Sequence, residues 1–317
     1  MSPPSKPVLY LARALPGGRL DPLRALFEIR GNAPKPPPRD LLLGEIGAAE
    51  VLGLTYLDPV DRALLDAAPG LRHIASYGVG LNHIDLEACR ARGVLITNTP
   101  GVVTNATADM AMALLLAAAR RVAEGDRVVR AGGWTEVDPG WLLGTEVTGK
   151  TLGIIGFGRI GQAVARRAAG FEMRILYCSP RDVAFPGAVR VSLETLLGES
   201  DFVSVHTPLT PATQDLISRE RIFSMKRGAV FVNTARGPVV DDAALAEALA
   251  RGHLAAAGLD VFRDEPRVPE IFRRLPNVVL TPHLGSGTRE TRAAMAQMVL
   301  DEIERVAKGE QPRFQVT

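Results

Sequence analysis

The chain has 317 residues, too many for one ordinary hydrophobic core, so its length predicts two domains. Lysine and arginine number 37 against 35 aspartate and glutamate, and a net charge of +2 provides no overall field that would favour nucleic acid or a membrane surface. The hydrophobic fraction of 46%, with only 5% aromatic residues, is typical of an α/β protein rich in alanine and leucine.

The cysteines and the apolar runs limit where the protein can reside and whether it holds a disulfide or a metal. Cys89 and Cys178 lie far apart in sequence, so they predict neither a disulfide framework nor a metal site. The first residues lack the apolar core of a signal peptide, and the longest apolar run, residues 110–119, is too short to span a bilayer. We therefore expect a cytoplasmic protein with no nucleic-acid, membrane or metal partner, because ligand clusters of the usual spacing are also missing.

The first hundred residues alternate strand and helix patterns, which predicts a parallel sheet covered by helices. Strands are predicted at residues 8–12, 50–55, 71–76 and 94–97. Helices are predicted at residues 21–29, 61–68 and 84–92. The proline-rich residues 33–39 indicate a surface loop, because proline lacks an amide donor.

A long apolar helix is predicted next, over residues 105–121. Its apolar positions cover more than one face, so we expect it to be buried between two lobes. Residues 131–144 then form a loop that contains both tryptophans, Trp134 and Trp141. The apolar helix and this loop would make a poor surface for a monomer and predict a homodimer in which both segments form the interface.

The central motif of the chain is the run Gly156-Phe157-Gly158-Arg159-Ile160-Gly161, which follows an apolar strand at residues 152–155 and precedes a helical pattern. In a dinucleotide-binding turn, the first glycine permits the tight turn, the second lets a pyrophosphate approach the backbone, and the third lets the helix pack on the strand. The amides at the helix N-terminus then bind phosphate. Such a glycine pattern is weak alone, but the flanking strand and helix favour a dinucleotide site.

Six strands separated mostly by helical patterns predict a doubly wound sheet around this turn. They lie at residues 152–155, 173–178, 202–206, 229–233, 256–260 and 278–281. The final amphipathic helix, residues 288–307, is expected to return to the first lobe, which is short of covering helices. The predicted fold class is α/β, with two doubly wound parallel-sheet (Rossmann-like) domains, the smaller one discontinuous. Residues 1–100 and 288–317 would form the substrate domain and residues 101–287 the dinucleotide-binding domain.

Three residues able to carry acid–base chemistry, Arg236, Glu265 and His283, follow three of these strands. Ligands bind at the carboxyl ends of strands in such sheets. The three side chains suit reduction of a 2-oxo acid: the arginine would orient the acid, the imidazolium would protonate the new alkoxide, and the glutamate would keep the imidazole charged. Each has an ordinary alternative, as a helix cap, a solvated acid or a loop histidine, but their joint occurrence favours catalysis. His206 is a weaker rival acid without an evident glutamate partner.

The ordered motifs resemble those of the D-isomer-specific 2-hydroxyacid dehydrogenase family over almost the whole chain. They are the glycine turn, residues 232–237, residues 258–262 followed by Glu265-Pro266, and residues 282–285. The resemblance implies that Arg236, Glu265 and His283 are catalytic, and that a hydride passes from a reduced nicotinamide to C2 of a 2-oxo acid. Within the family, residues 132–142 and 209–213 are similar to glyoxylate/hydroxypyruvate reductases.

The same resemblance implies two sets of binding residues. The substrate would contact the backbone amides of Val79 and Gly80, together with Arg236, His283 and Trp141. The cofactor would contact Gly156, Gly158, Arg159, Ile160, Gly161, Thr207, Pro208, Thr234, Asp260, Gly285 and Thr107. Trp141 would reach the substrate pocket of a partner subunit, or else pack within its own.

The second strand of the dinucleotide domain favours NADPH over NADH. An NAD-binding fold places Asp or Glu about 20 residues beyond the glycines, on the ribose 2′-hydroxyl. Here that position is Cys178, and Ser179 and Arg181 follow, both of which suit a 2′-phosphate. Asp182 opposes this interpretation, although it lies past the turn. We expect NADPH to be preferred with some NADH activity; the alternative is that Arg181 is a solvated loop residue and both cofactors bind.

Two other functions stay open. Some relatives use this fold and trio as cofactor-sensing corepressors that bind peptide motifs, and these usually carry extended disordered tails. Relatives that are 3-phosphoglycerate dehydrogenases often carry an added C-terminal regulatory domain. A chain that ends at Thr317 is expected to have neither feature.

Overall fold

The computed structural model describes residues 6–316. The chain divides into a smaller unit, Met1–Val103 with Thr288–Thr317, and a larger unit, Thr104–Gly287. Each unit is built on one parallel sheet, of five strands in the smaller and seven in the larger. The predicted fold class, two doubly wound parallel sheets with a discontinuous smaller domain, is confirmed.

The smaller unit orders its strands β2-β1-β3-β4-β5. In chain order its first elements are β1 (Val8–Leu11), α1 (Asp21–Leu26), β2 (Glu28–Gly31), α2 (Arg39–Glu45), β3 (Ala49–Thr55), α3 (Arg62–Ala67), β4 (His73–Tyr77), α4 (Leu86–Ala91) and β5 (Leu95–Thr97). The predicted helix over residues 21–29 is wrong only in its last three residues, because the chain leaves the helix at Phe27 and pairs in parallel with β1 from Glu28. β2 is an edge strand with mostly exposed side chains, so its apolar pattern is weak. The sequence patterns also missed α2.

The larger unit orders its strands β12-β11-β10-β9-β6-β7-β8. Its elements are α5 (Thr104–Ala119), α6 (Val122–Arg130), β6 (Thr151–Ile155), α7 (Arg159–Ala168), β7 (Arg174–Cys178), β8 (Ala188–Arg190), α8 (Leu193–Glu199), β9 (Phe202–Val205), α9 (Arg219–Ser224), β10 (Val230–Asn233), α10 (Asp242–Ala250), β11 (Ala256–Leu259), α11 (Glu270–Arg274) and β12 (Val278–Leu280). The sheet has seven strands rather than the predicted six, because the three-residue edge strand β8 carries no buried side chain. The strand order reverses between β6 and β9, which is where ligands bind in open α/β sheets.

The apolar helix α5 packs on the seven-stranded sheet of its own unit and on α7. Gly258 of β11 makes this contact possible, because a Cβ atom there would lie 2.7 Å from the Cβ of Leu114. The helix ends earlier than predicted, at Ala119, and Arg121 has a left-handed backbone (φ +53°) that redirects the chain into α6. No side chain of α6 is buried.

The last helix, α12 (Arg289–Ala307), packs on β4 and α1 in the smaller unit. Its buried apolar side chains, including Val299 and Ile303, join the core formed by Leu9 and Leu11 of β1. The carboxylate of Glu302, also buried, accepts hydrogen bonds from the backbone N–H groups of Arg313 (2.8 Å) and Phe314 (3.2 Å). These bonds hold the segment after α12 beside β5.

Residues 6–316 offer neither a membrane-spanning helix nor a clustered metal site. They contain no helix that is both long and apolar enough to cross a membrane. They also contain no cluster of three or more His, Cys, Asp or Glu side chains placed to hold a metal ion.

Candidate active site

Arg236 is positioned by a turn that Asn233 builds at the end of β10. The Asn233 Oδ1 accepts a hydrogen bond from the Ala235 N–H (2.9 Å), and its Nδ2 donates to the Arg236 carbonyl (3.0 Å). Asparagine stabilises such turns because its side chain satisfies backbone groups two and three residues ahead. The guanidinium is half-buried and donates from Nη1 to the Ala235 carbonyl at 2.6 Å.

The turn after β10 packs directly on the backbone that follows β11. A Cβ atom on Gly237 would lie 2.0 Å from the carbonyl carbon of Phe262, so no side chain fits there. This close approach brings Arg236 near the segment that contains Glu265, and its positive charge contributes to lowering the pKa of that carboxyl. Glycine at position 237 is therefore a packing requirement of the site.

Glu265 and His283 form a direct pair. His283 Nδ1 lies 2.6 Å from Glu265 Oε2, and the Phe262 N–H donates to Oε1 at 3.0 Å. Both side chains are 20% exposed, so the pair is shielded but reachable. Burial alone would raise the pKa of Glu265, but the hydrogen bond and charge of His283, the Phe262 N–H and Arg236 together hold it below its ordinary value. The glutamate is thus a carboxylate held in direct contact with the imidazole.

The loop that presents His283 is built on the carboxylate of Asp260, which is 1% exposed. Its Oδ1 accepts hydrogen bonds from Thr281 Oγ1 (2.6 Å) and the Leu284 N–H (2.7 Å), and its Oδ2 accepts one from the Gly285 N–H (2.7 Å). Burial raises the pKa of Asp260 while these donors oppose the rise. His283 itself has a left-handed backbone (φ +53°), and its N–H donates to the Asp260 carbonyl at 2.9 Å.

His206 has a different environment. Its Nε2 lies 2.9 Å from the hydroxyl of Ser204, and burial lowers its pKa to about 4. A histidine held neutral and paired with a hydroxyl does not store a proton near neutral pH. The geometry therefore favours His283 as the acid.

The three glycines of the turn after β6 differ in their surroundings. Gly156 has φ +92°, and a Cβ atom there would lie 2.7 Å from the His206 carbonyl and the Thr207 amide. A Cβ atom on Gly161 would lie 2.3 Å from the Gly156 carbonyl oxygen, whereas a Cβ atom on Gly158 would meet nothing within 4 Å. Gly156 and Gly161 are thus required by the fold, and Gly158 leaves open space in front of the N-terminus of α7.

Among residues 6–316, those around the glycine turn after β6 fit a nicotinamide dinucleotide. Gly158 is the N-cap of α7, and no side chain forms a capping hydrogen bond there. A phosphate can therefore approach the first backbone amides of the helix, those of Arg159 and Ile160. The hydroxyl of Thr234, at the end of β10, is buried and has no hydrogen-bond partner among the described residues, as suits a ligand-binding group. The predicted residues Thr207 and Pro208 follow His206 after β9, and the Thr207 amide lies beside Gly156 of the glycine turn. Thr107 and Gly285 are neighbours, because a Cβ atom on Gly285 would lie 3.5 Å from Thr107 Cγ2.

At the end of β7, Cys178 and Ser179 are partly exposed and Arg181 is exposed. Arg190 supports this segment by donating to the carbonyls of Ser179 (3.2 Å) and Pro180 (3.1 Å). Asp182, which opposed the NADPH interpretation, accepts a hydrogen bond from the Tyr177 hydroxyl at 2.7 Å.

The remaining predicted substrate-binding residues lie on other segments of the chain. Val79 and Gly80 follow β4 in the smaller unit, where the Asn98 Nδ2 donates to the Val79 carbonyl at 3.0 Å and the Thr99 N–H to the Gly78 carbonyl at 3.1 Å. Trp141 is 42% exposed on the loop that follows α6 in the larger unit.

Comparison with known proteins decides the family. Residues 112–285 match the family model described as D-isomer specific 2-hydroxyacid dehydrogenase, NAD binding domain. The chain belongs to the D-isomer-specific 2-hydroxyacid dehydrogenases. The glyoxylate reductase of Thermococcus litoralis is 47% identical over 316 residues, covering 97% of this chain and 96% of the relative. The predicted family and enzyme class are confirmed, and the larger unit contains the family's NAD-binding domain.

Solved structures agree with this assignment of the dehydrogenase. A protein of Thermus thermophilus is 48% identical with a TM-score of 0.93, over 98% of this chain and all (100%) of the other. An NADPH-dependent glyoxylate/hydroxypyruvate reductase of Sinorhizobium meliloti, solved with NADP and malonate, is 31% identical with a TM-score of 0.89, over 99% of this chain and 97% of the other.

The sequence patterns did not single out three residues whose side chains hydrogen-bond within segments that carry predicted site residues: Asn233, Asn98 and Tyr177. Asn233 and Asn98 each follow a buried strand directly or end it, and this position is a recognisable signal for a side chain that organises a turn. Tyr177 has no such signal, because its role depends on Asp182 folding back onto its hydroxyl.

The glycine turn of the dehydrogenase gives a prediction with a built-in control. Gly161→Ala introduces a backbone clash and should destabilise the protein by about 1–3 kcal/mol, which thermal unfolding would measure. Gly158→Ala has open space and should leave Tm unchanged, while the added methyl group obstructs the phosphate and weakens cofactor binding by about tenfold or more. Gly170→Ala, also with nothing within 4 Å, serves as the control for both measurements. Normal cofactor affinity in Gly158→Ala would contradict the proposed pyrophosphate approach.

Proposed function

We propose that this chain is an NADPH-preferring reductase that converts a small 2-oxo acid of the glyoxylate or hydroxypyruvate type to the 2-hydroxy acid, of D configuration where C2 is chiral. The observation that carries the proposal is the 2.6 Å contact between His283 and Glu265, with Arg236 acting on the same carboxylate. The relatives of Thermococcus litoralis and Sinorhizobium meliloti, named as reductases of glyoxylate and of glyoxylate/hydroxypyruvate, support the choice of substrate.

The residues divide the chemistry between binding and proton transfer. A reduced nicotinamide cofactor, when bound, supplies a hydride to C2 of the oxo acid. Arg236 pairs with the substrate and polarises the carbonyl that accepts the hydride, and the amides of Val79 and Gly80 bind the carboxylate. His283 donates its proton to the carbonyl oxygen as negative charge develops there, and is reprotonated from solvent after product release. Since Nδ1 is engaged by Glu265, Nε2 is the atom assigned to this transfer.

Initial rates on a panel of 2-oxo acids test the substrate class. We expect kcat/KM to be highest for glyoxylate or hydroxypyruvate, and lower for pyruvate, phosphohydroxypyruvate and 2-ketogluconate. A preference for phosphohydroxypyruvate would instead favour a 3-phosphoglycerate dehydrogenase. No turnover of any 2-oxo acid would favour a cofactor-sensing binding protein.

Two variants test the catalytic assignments. His283→Gln should lower kcat by about 10²–10⁴, the usual range for loss of a positioned general acid. Glu265→Gln removes the negative charge that favours the imidazolium, so His283 loses the proton needed for reduction at a lower pH. The alkaline limb of the plot of kcat against pH should therefore shift to lower pH. Glu270→Gln, the same change on the exposed surface, should leave the profile unmoved. An unshifted profile in Glu265→Gln removes the pair from the mechanism.

The proposed NADPH preference rests on the segment after β7. No carboxylate occupies the Cys178 position to bind a ribose 2′-hydroxyl, and Ser179 and Arg181 offer a hydroxyl and a cation to a 2′-phosphate. The proposed cofactor is therefore NADP(H), with NAD(H) as a poorer alternative.

Replacement of Arg181 tests this preference. Arg181→Ala should lower kcat/KM for NADPH by about tenfold, because an exposed charge-assisted hydrogen bond is lost, and should change the value for NADH little. Arg174→Ala, at the opposite end of the same strand, where Arg174 pairs with Glu199 at 3.0 Å, is the matched control. A wild-type kcat/KM higher with NADH would overturn the proposed preference.

The proposed assembly is a homodimer formed through α6 and the loop after it. This stretch exposes several large apolar side chains, among them Val129, Trp134 (58% exposed), Val137 (84% exposed) and Leu143. Large apolar side chains clustered in one exposed segment mark an association surface. The same segment of a second copy of this chain would cover these side chains across a two-fold axis. Trp141 of one protomer would then approach the substrate site of its partner.

A charge at the most exposed apolar position tests the dimer. Val137→Asp removes few contacts within the protomer, so it should leave the protomer folded but shift the solution mass from two chains to one. Leu41→Asp, a similar change at an exposed position on α2, should remain dimeric. Light scattering at micromolar concentration measures both, and a monomeric wild-type protein would contradict the proposal.

A further inference from the structure

The hydroxyl of Tyr177 contacts three polar groups of the segment that follows β7. It donates to Asp182 Oδ1 at 2.7 Å, accepts a hydrogen bond from the Val183 N–H at 3.1 Å, and lies 3.0 Å from the Val183 carbonyl oxygen. Asp182 and Val183 directly follow Ser179 and Arg181, the residues assigned to the 2′-phosphate. One buried phenol therefore holds the far end of the cofactor-binding segment.

The ring of Tyr177 is itself fixed. It is 1% exposed and stacks on the ring of Phe157, with centroids 4.0 Å apart and planes inclined by 16°. Phe157 lies within the glycine turn and also contacts Phe185 edge-on, with centroids 5.3 Å apart. Because aromatic stacking sets the ring position, the hydroxyl is presented at one point, and it links the glycine turn to the segment after β7.

Asp182 is the only acidic residue between Cys178 and Arg190 in the sequence, so along the chain it is the carboxylate nearest to Ser179 and Arg181. The hydrogen bond from Tyr177 is the largest contribution that lowers the pKa of Asp182, whose side chain is a carboxylate at neutral pH. An ionised side chain one residue from Arg181 would pair with that arginine or repel the phosphate if it were released from Tyr177.

We propose that Tyr177 is a specificity-determining positioning residue, whose hydroxyl holds the Asp182 carboxylate so that Ser179 and Arg181 remain available to the 2′-phosphate. Arg190, bound to the carbonyls of Ser179 and Pro180, fixes the near end of the same segment. The inference rests on the proposed function for the position of the phosphate. It adds that NADPH binding depends on the restraint of the Asp182 carboxylate as well as on the positive charge of Arg181.

Tyr177→Phe tests the proposal, because it keeps the stacked ring and removes only the hydroxyl. Calorimetric titration of NADPH and NADH into the protein should show an NADPH Kd raised by about three- to tenfold and an NADH Kd little changed. Adding Asp182→Asn in the Tyr177→Phe background should restore the NADPH Kd, because the released side chain is then neutral. Asp182→Asn alone should leave NADPH binding at or above the wild-type affinity.

Tyr10→Phe is the matched control, since the buried Tyr10 in the smaller unit likewise donates to a carboxylate, that of Glu45, at 2.7 Å. It should change Tm without changing the ratio of the two Kd values. Equal weakening of both cofactors in Tyr177→Phe, or failure of Asp182→Asn to restore NADPH binding, would overturn the proposal. If the wild-type protein prefers NADH but the rescue still occurs, the proposed cofactor preference fails while the role of Tyr177 stands.

Discussion

The buried carboxylate of Asp260 is the interaction on which the geometry of the site depends. Removing an ionised carboxylate from water is costly unless donors replace the lost hydration, and three donors from residues 281–285 do so here. Those donors come from a loop more than twenty residues away along the chain, so the same bonds that solvate the carboxylate also fix the loop. His283 can keep its left-handed backbone because the loop is held on both sides of it.

Charges of alternating sign then extend from this anchor across the ends of β10, β11 and β12. Asp260 holds the His283 loop, His283 pairs with Glu265, and the charge of Arg236 also acts on Glu265. Burial raises the pKa of both carboxyl groups, but at Glu265 the surrounding cations and donors outweigh it. Two features of the backbone make this arrangement possible: the missing side chain at Gly237 and the turn built by Asn233. The charged groups are therefore placed by packing and by turn geometry before any substrate binds.

The sequence predicted the parts of this arrangement that are local. The glycine turn, the buried strands and the positions of Arg236, Glu265 and His283 at strand ends follow from short patterns, and the strands lie within a few residues of their predicted positions. The edge strands β2 and β8 were missed because pairing with a neighbour, rather than an apolar pattern, stabilises them. The hydrogen bonds of Asp260 and the folding back of Asp182 onto Tyr177 were also beyond prediction, because each joins groups whose approach only the folded chain defines.

The two ends of the proposed cofactor site rely on interactions of different strength. At the catalytic end, the charges are shielded, paired and held by several hydrogen bonds, so salt screens them little. At the end of β7, Arg181 and Asp182 are exposed, and exposed charges interact weakly and are screened over about 8–10 Å at ordinary ionic strength. Proton transfer should therefore be insensitive to salt, whereas discrimination between NADPH and NADH should be graded and should weaken as ionic strength rises. A preference set by small, exposed contributions is also one that substitutions at positions 177–182 can shift without disturbing the catalytic trio.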